Sequence, residues 1–181
     1  MDGDLAARVG SRLRAQREAR RISLSELARR SGVGKGTLSE LESGRRNPTL
    51  ETLYALTTAL GVPLSGVLHA ASPGHPDGSS AEVSGRAVDA VLTERFEDAA
   101  AVTETYRMRI RGGSTQESAA HTPGTTEHII VLTGRARVGP AHAPALTVGP
   151  GAHASWPADV PHVYGAPEGD VEALLVVRHP H

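Results

Sequence analysis

The chain changes its hydrophobic period part-way along, and this change limits the folds that it can adopt. Up to residue 68, apolar residues recur at helical spacing, with Leu5, Val9 and Leu13 on one face of a first helix. From 102 to 110, apolar and polar residues alternate as in a strand. The stretch 71–82 between them holds almost no apolar bulk. The sequence therefore predicts a helical domain at 1–70, a flexible linker at 71–83 and an all-β domain at 84–181.

The helical half contains start and stop signals for several short helices. Ser23-Leu24-Ser25-Glu26 is a capping box, in which the Ser23 hydroxyl and the Glu26 carboxylate each accept from the other residue's N–H. The helix that follows ends near Arg30, and Gly32 suits the left-handed turn after it. Further helices are predicted at 35–43, 48–61 and 63–68. With the first helix they predict a five-helix bundle.

Two of these helices form a helix-turn-helix, because a turn containing Gly32 joins them. Ala28 is small enough for the two helices to cross closely, and Leu38 packs the second helix on the core. Residues 8–68 resemble the Cro/C1-type (XRE) helix-turn-helix family. The resemblance is carried by Leu27-Ala28, Gly32-Val33, Thr37-Leu38-Ser39, Leu41-Glu42, Gly44, Asn47-Pro48 and Leu60-Gly61-Val62. It implies sequence-specific binding to double-stranded DNA and control of transcription.

In that family the second helix of the motif enters the major groove by its N-terminal part. Carried over by position, the resemblance implies DNA contacts from Lys35, Gly36, Thr37, Ser39, Glu40, Ser43, Arg45, Arg46 and Asn47. Lys35 can donate to guanine and Glu40 can accept from cytosine. The last three residues would approach phosphates, which position the protein without reading sequence. The alternative is a packing or dimerisation module whose arginines form a solvated face.

The charge distribution differs between the two halves. Residues 1–70 carry 11 Lys and Arg against 7 Asp and Glu, whereas residues 71–181 carry 8 against 13. A basic half suits a polyanionic partner. Eight of the nine histidines follow residue 71, so the acidic half is where ligand chemistry is expected. Among these, His142, His153, His179 and His181 are predicted to be surface or packing residues.

The acidic half resembles the cupins over about residues 100–178. The stretch 121–134, with His121, Glu127 and Gly134, resembles the first cupin motif. Gly149-Pro150-Gly151, Trp156-Pro157 and Pro161-His162 resemble the second. The resemblance implies a double-stranded β-helix barrel with an interior pocket. An XRE domain followed by a cupin is a familiar class of bacterial regulator.

The cupin resemblance also implies a ligand set of His121, Glu127 and His162. The second histidine of the usual His-x-His pair is replaced by Pro123, which leaves two imidazoles and one carboxylate. Such a set suits Fe, Zn or Mn with open positions. The alternative is a pocket without metal that holds an organic ligand by hydrogen bonds.

Several larger side chains are candidates for the walls of the pocket. The pocket is predicted to be lined by Tyr106, Met108 and Trp156 together with the three ligand residues, and Ile110 and Tyr164 are further wall candidates. The alternative is that these larger residues are plain core. Glu127 and His128 are strand neighbours, so they point to opposite faces. We expect Glu127 inside, although the apolar residues that follow on both faces do not distinguish the faces.

The leading hypothesis is a cytoplasmic, homodimeric transcriptional regulator without enzyme activity. A small molecule or metal in the barrel would change the placement of two recognition helices. The runner-up is a mononuclear iron enzyme resembling the iron-dependent epoxidases of phosphonate antibiotic synthesis, and a third option is a barrel that only dimerises. The absence of Cys excludes thiolate chemistry. No apolar run approaches the ~20 residues of a membrane helix, and the acidic N-terminus argues against a secretory signal.

Overall fold

The structure is a computed structural model that describes residues 2–68 and 82–181. The chain divides into two compact units, Met1–Ala81 and Glu82–His181. The predicted linker at 71–83 lies outside the described residues, apart from Glu82 and Val83, which belong to a strand. Within the described ranges, no helix is both long and apolar enough to cross a membrane.

The first unit is helical in its described part. Val9 and Leu13 are buried and Leu5 is half-buried, so the apolar face predicted for the first helix is correct. This helix packs on the third and fifth, and the second packs on the third and fourth. The helices are α1 (Asp2–Ala19), α2 (Leu24–Ser31), α3 (Lys35–Glu42), α4 (Leu50–Leu60) and α5 (Ser65–Leu68).

Helices α1 and α3 approach each other closely. A Cβ atom added at Gly10 would lie 2.1 Å from the carbonyl oxygen of Leu41, so only glycine fits there. An ion pair joins the same helices, with Arg17 Nε 2.6 Å from Glu42 Oε1 and Arg17 Nη2 2.7 Å from Glu42 Oε2. The two side chains are only 12% and 7% exposed. Arg17 therefore belongs to the helix packing rather than to a solvated basic face.

The caps at the two ends of α2, the first helix of the helix-turn-helix, agree in part with the prediction. The Ser23 hydroxyl accepts from the Glu26 N–H at 3.1 Å, and Gly32 has the left-handed φ of 71°. The second bond predicted for the capping box, from the Ser23 N–H to the Glu26 carboxylate, was predicted wrongly. The Glu26 carboxylate accepts from Arg29 and Arg30 instead. These hydrogen bonds lower the pKa of Glu26 to about 2, and the bond from Arg29 contributes most.

The second unit consists of two antiparallel sheets. The larger has the strand order β1-β2-β3-β10-β5-β8, and the smaller has the order β4-β9-β6-β7. Their strands are β1 (Glu82–Ser84), β2 (Val88–Glu97), β3 (Ala101–Ile110), β4 (Thr115–Ser118), β5 (Thr126–Thr133), β6 (Ala136–Pro140), β7 (Leu146–Val148), β8 (His153–Pro157), β9 (His162–Gly165) and β10 (Val171–Pro180).

The buried faces of the two sheets meet at β5 and β9, where the Tyr164 hydroxyl donates to the Glu127 carboxylate. Along β5 the buried residues alternate with exposed Ile130 and Leu132, which are 41% and 47% accessible. Glu127 thus lies on the inner face and His128 on the outer face, as expected. Only the structure distinguishes the two apolar faces of this strand.

Candidate nucleic-acid interface and interior histidine site

Helix α3 presents one face to solvent because its other face is held by the core. Leu38 and Leu41 are 0% and 3% exposed, which fixes the rotation of the helix. The opposite face carries exposed Lys35, Gly36 and Glu40. Two further residues of the predicted DNA surface, Thr37 and Ser39, are half-buried. The exposed face of α3 therefore offers one cation and a bare glycine in the first turn, and one carboxylate in the second.

The loop after α3 continues this exposed surface with Arg45, Arg46 and Asn47. Its position is set at Gly44, where φ is 68° and an added Cβ would lie 2.8 Å from the Ala7 Cα atom of α1. The Ser43 hydroxyl donates back to the Ser39 carbonyl at 2.9 Å. These contacts hold the loop cations beside the exposed face of α3.

The structure brings the three predicted ligand residues together inside the second unit. His121 Nε2 lies 2.9 Å from Glu127 Oε1, and His162 Nε2 lies 3.5 Å from the same oxygen. All three side chains are buried, and their candidate ligand atoms lie within 4.8 Å of one another. Two imidazoles and one carboxylate at this separation can hold a divalent metal ion.

A backbone contact orients the His162 imidazole, and another holds the segment that carries His121. The His162 Nδ1 atom donates to the Val160 carbonyl at 2.9 Å, which leaves Nε2 on the side of Glu127. The segment carrying His121 is held by a bond from its N–H to the Ala158 carbonyl at 2.9 Å. A backbone partner on the second ring nitrogen is the usual support of a metal-binding histidine.

The buried carboxylate and imidazole stabilise each other's charged forms. Burial alone would raise the pKa of Glu127, but the charge of His162 and the hydrogen bond from His121 hold this pKa well below its usual range. Burial alone would lower the pKa of His162, but the Glu127 carboxylate raises it. Glu127 is therefore an anion in the interior, and its charge can pair with a protonated imidazole or a metal ion.

The candidate wall residues are buried around this cluster. Tyr106, Met108 and Trp156 are 1%, 2% and 4% exposed. The Trp156 ring meets Tyr164 edge-on with a centroid distance of 6.1 Å, and Tyr164 meets His162 at 5.5 Å. Burial is common to core residues and pocket walls, so these contacts suit both alternatives.

Sequence reasoning missed a second group of buried polar residues beside His121. The Tyr106 hydroxyl donates to Glu104 Oε2 at 2.6 Å, and His179 Nε2 lies 3.5 Å from the same oxygen. The His179 and His121 rings meet edge-on at 5.7 Å. Glu104 shares the strand parity of Tyr106 and Met108, so the alternation along β3 was a signal that could have found it.

Several polar atoms in this interior have no hydrogen-bond partner. Within the described residues, the buried side-chain atoms without one are Gln116 Oε1, Trp156 Nε1, His162 Nε2 and His179 Nε2. Buried polar atoms are almost always paired in folded proteins. A bound ion, water or small molecule would supply what these atoms lack.

Comparison with known proteins identifies the family. The helix-turn-helix model HTH_3 matches residues 13–67. The Escherichia coli HTH-type transcriptional regulator SutR is 31% identical over 163 residues, which span 89% of this chain and 88% of SutR. This chain belongs to the HTH-type transcriptional regulators. The XRE-type helix-turn-helix predicted for this regulator is thereby confirmed.

Solved structures agree with the fold of this regulator. An HTH_3 family transcriptional regulator from Vibrio cholerae aligns over the whole of both chains with a TM-score of 0.80 at 22% identity. Hydroxypropylphosphonic acid epoxidase from S. wedmorenis aligns over 97% of this chain and 98% of its own, with a TM-score of 0.44 at 19% identity. A likeness of that size supports no functional conclusion.

Proposed function

We propose that this regulator reads duplex DNA with the exposed face of α3 and senses a small molecule or metal in its β-rich unit. The observation that carries the DNA assignment is the burial of Leu38 and Leu41, which turns Lys35 and Glu40 outward. An exposed N-terminal turn of the second helix is the part that enters the major groove in helix-turn-helix proteins.

Each exposed group has a proposed role at the DNA. Lys35 donates to guanine acceptors and Glu40 accepts from a cytosine amine. Arg45, Arg46 and Asn47 contact phosphates and set the register. The remaining contacts of α3 come from Gly36, Thr37, Ser39 and Ser43.

The proposed regulator is a cytoplasmic homodimer. Its subunits each contain a five-helix DNA-binding domain at 1–70, a linker that ends before β1 at Glu82, and a cupin barrel formed by β1 to β10. The meeting of the two sheets across Glu127 and Tyr164 supports an enclosed interior. Two recognition helices would then occupy half-sites about 34–36 Å apart.

Selection of binding duplexes from a random DNA pool near physiological salt tests the DNA assignment. We expect a palindromic motif, and we expect Lys35→Ala to relax the preference at one base by about 1–3 kcal/mol. Arg46→Ala should weaken all duplexes alike and lower the salt dependence by about one unit of log–log slope. Arg135→Ala in the β-rich unit is the matched control. Equal losses on every duplex for both α3-region variants would contradict the helix assignment.

The interior cluster fits a divalent metal. His121, Glu127 and His162 would hold Fe, Zn or Mn, and this fit is supported by the buried Nε2 atom of His162, which makes no hydrogen bond and lies 3.5 Å from Glu127 Oε1. The bound ion would supply a Lewis-acidic centre with open positions for an oxygen atom of an effector. The alternative effector is an organic molecule held directly by the unpartnered polar atoms.

Removal of the carboxylate tests the metal assignment. Glu127→Gln keeps the shape of the side chain but removes the charged ligand. We expect it to lower the affinity for Zn²⁺ by more than about 100-fold, because losing a residue that only hydrogen-bonds to a metal ligand already costs about 10–100-fold. Equilibrium dialysis in a His153→Ala background measures the affinity without a contribution from the surface histidines, and exposed Glu117→Gln on β4 is the control. An affinity equal to that of the unaltered chain would contradict the metal site and favour the organic effector.

We propose that the interior site senses rather than catalyses, because the relatives with known roles are named as regulators. The runner-up function is oxygen chemistry at the same three ligands. Oxygen consumption by the Fe²⁺-loaded chain distinguishes the two: consumption above that of Glu127→Gln supports the enzyme, and none supports the sensor. A barrel that only dimerises would show neither metal nor effector binding.

A further inference from the structure

A pair of histidines lies on the outer face of the larger sheet, away from the interior cluster. His128 on β5 and His153 on β8 are diagonal neighbours, because His153 pairs in register with Ile130 and His128 with Ser155. The distance from His128 Nδ1 to His153 Nε2 is 3.3 Å. The ring centroids are 5.4 Å apart with an interplanar angle of 18°.

We propose that His128 and His153 form a surface site that chelates a transition-metal dication of the copper, nickel or zinc class. A metal bound tetrahedrally by two imidazoles at about 2.0–2.1 Å places the two nitrogens about 3.3–3.4 Å apart. The observed 3.3 Å separation meets this requirement. His153 is exposed and His128 is half-buried, so the rings can make the small rotation that directs both lone pairs at one ion.

The same distance also describes an N–H···N hydrogen bond between two neutral imidazoles. In that state one of the two facing nitrogens carries a hydrogen. When a dication binds, the proton of that ring moves to its other nitrogen, so that both facing nitrogens present lone pairs as ligands; metal binding and the hydrogen bond therefore exclude each other. The hydrogen bond therefore holds the two rings at the separation that a metal ion needs, and the metal ion replaces it.

The surface site differs from the interior cluster in its chemistry. It has two protein ligands, both imidazoles, and solvent completes the coordination. Imidazole ligands without a carboxylate favour Cu²⁺, Ni²⁺ and Zn²⁺, with Cu²⁺ bound most tightly. Adjacent strand residues point to opposite faces, so an ion at His128 does not share ligands with Glu127. The ion would link β8, an edge strand of the sheet, to β5.

Titration of the full chain with Cu²⁺, without an added histidine tag, tests the proposal. Electron paramagnetic resonance should show two imidazole nitrogens on copper. We expect His128→Ala and His153→Ala each to lower the affinity of this site at least tenfold. Exposed His142→Ala is the matched control and should bind as the unaltered chain does. Unchanged copper binding in the two variants would overturn the proposal, and would leave the N–H···N hydrogen bond as the full account of the contact.

The Glu127→Gln background separates this site from the interior one. There the surface site should keep its copper signal, whether or not the interior cluster holds a metal. Hydrogen exchange supplies a second measurement, because a bound ion should slow exchange of the β5–β8 amides. We expect Ni²⁺ to slow these amides in Glu127→Gln, but not when His153→Ala is added. Equal protection in both proteins would overturn the assignment of the ligands.

Discussion

Gly10→Ala is expected to destabilise the helical unit by more than about 3 kcal/mol, beyond the usual cost of an overpacked site. The added Cβ would lie 2.1 Å from the carbonyl oxygen of Leu41 and 3.2 Å from the carbonyl carbon of Glu42. Both atoms belong to the backbone of α3, so no side chain can rotate to make room. Helices α1 and α3 would have to separate, and the exposed face of α3 would lose its support.

Urea unfolding followed by the helical circular dichroism signal measures this effect. Gly36→Ala is the matched control, because an added Cβ there has nothing within 4 Å and the residue is exposed. In that helical position alanine should stabilise by about 0.5–1 kcal/mol. The two substitutions are chemically identical and should have opposite signs. If Gly10→Ala were as stable as Gly36→Ala, the close approach of α1 and α3 would be wrong.

Arg17→Met is expected to lower the free energy of unfolding of the helical unit by about 3–5 kcal/mol, as for other buried ion pairs that lose one partner. It leaves the Glu42 carboxylate, with 7% of its side chain exposed, without its bidentate partner. It also removes the bond from Arg17 Nη1 to the Ile22 carbonyl at 3.0 Å, which holds the chain after α1.

Arg14→Met provides the control for Arg17→Met on the same helix. The side chains of its ion pair with Glu18 are 62% and 52% exposed, so its loss should leave the free energy of unfolding nearly unchanged. The double variant Arg17→Met with Glu42→Leu should recover much of the stability, because an apolar pair can replace a buried ion pair. Additive losses in the double variant would show that the two side chains do not interact.

The helical unit could be predicted closely because its boundaries are local signals. Ser23 and Gly32 occupy cap positions whose chemistry does not depend on distant residues. The close approach at Gly10 could not be predicted, since it depends on where α3 packs on α1. The Arg17–Glu42 pair spans 25 residues and has no local signal for the same reason.

The β-rich unit was predicted less completely because long-range pairing decides its strands. Strand β2 lacks the alternation that marks β3, since a bulge between Leu92 and Glu94 interrupts it. Strand β4 has no apolar pattern, because its buried residues, Gln116 and Ser118, are polar. The three ligand residues could be placed from their resemblance to a motif, whereas His179 had only its strand parity with Leu175 and Val177 to mark it as buried.

The unpartnered polar atoms inside the β-rich unit set a condition on any effector that enters it. A molecule bound there would donate a hydrogen bond to the Gln116 carbonyl and accept one from the Trp156 N–H, because neither atom has a hydrogen-bond partner among the described residues. A close analogue without the matching groups would displace water and still leave those atoms unpaired. Sites of this kind reject such analogues far more strongly than apolar pockets reject a missing methyl group. An effector of the kind proposed would therefore be distinguished from close analogues by its polar groups rather than by its size.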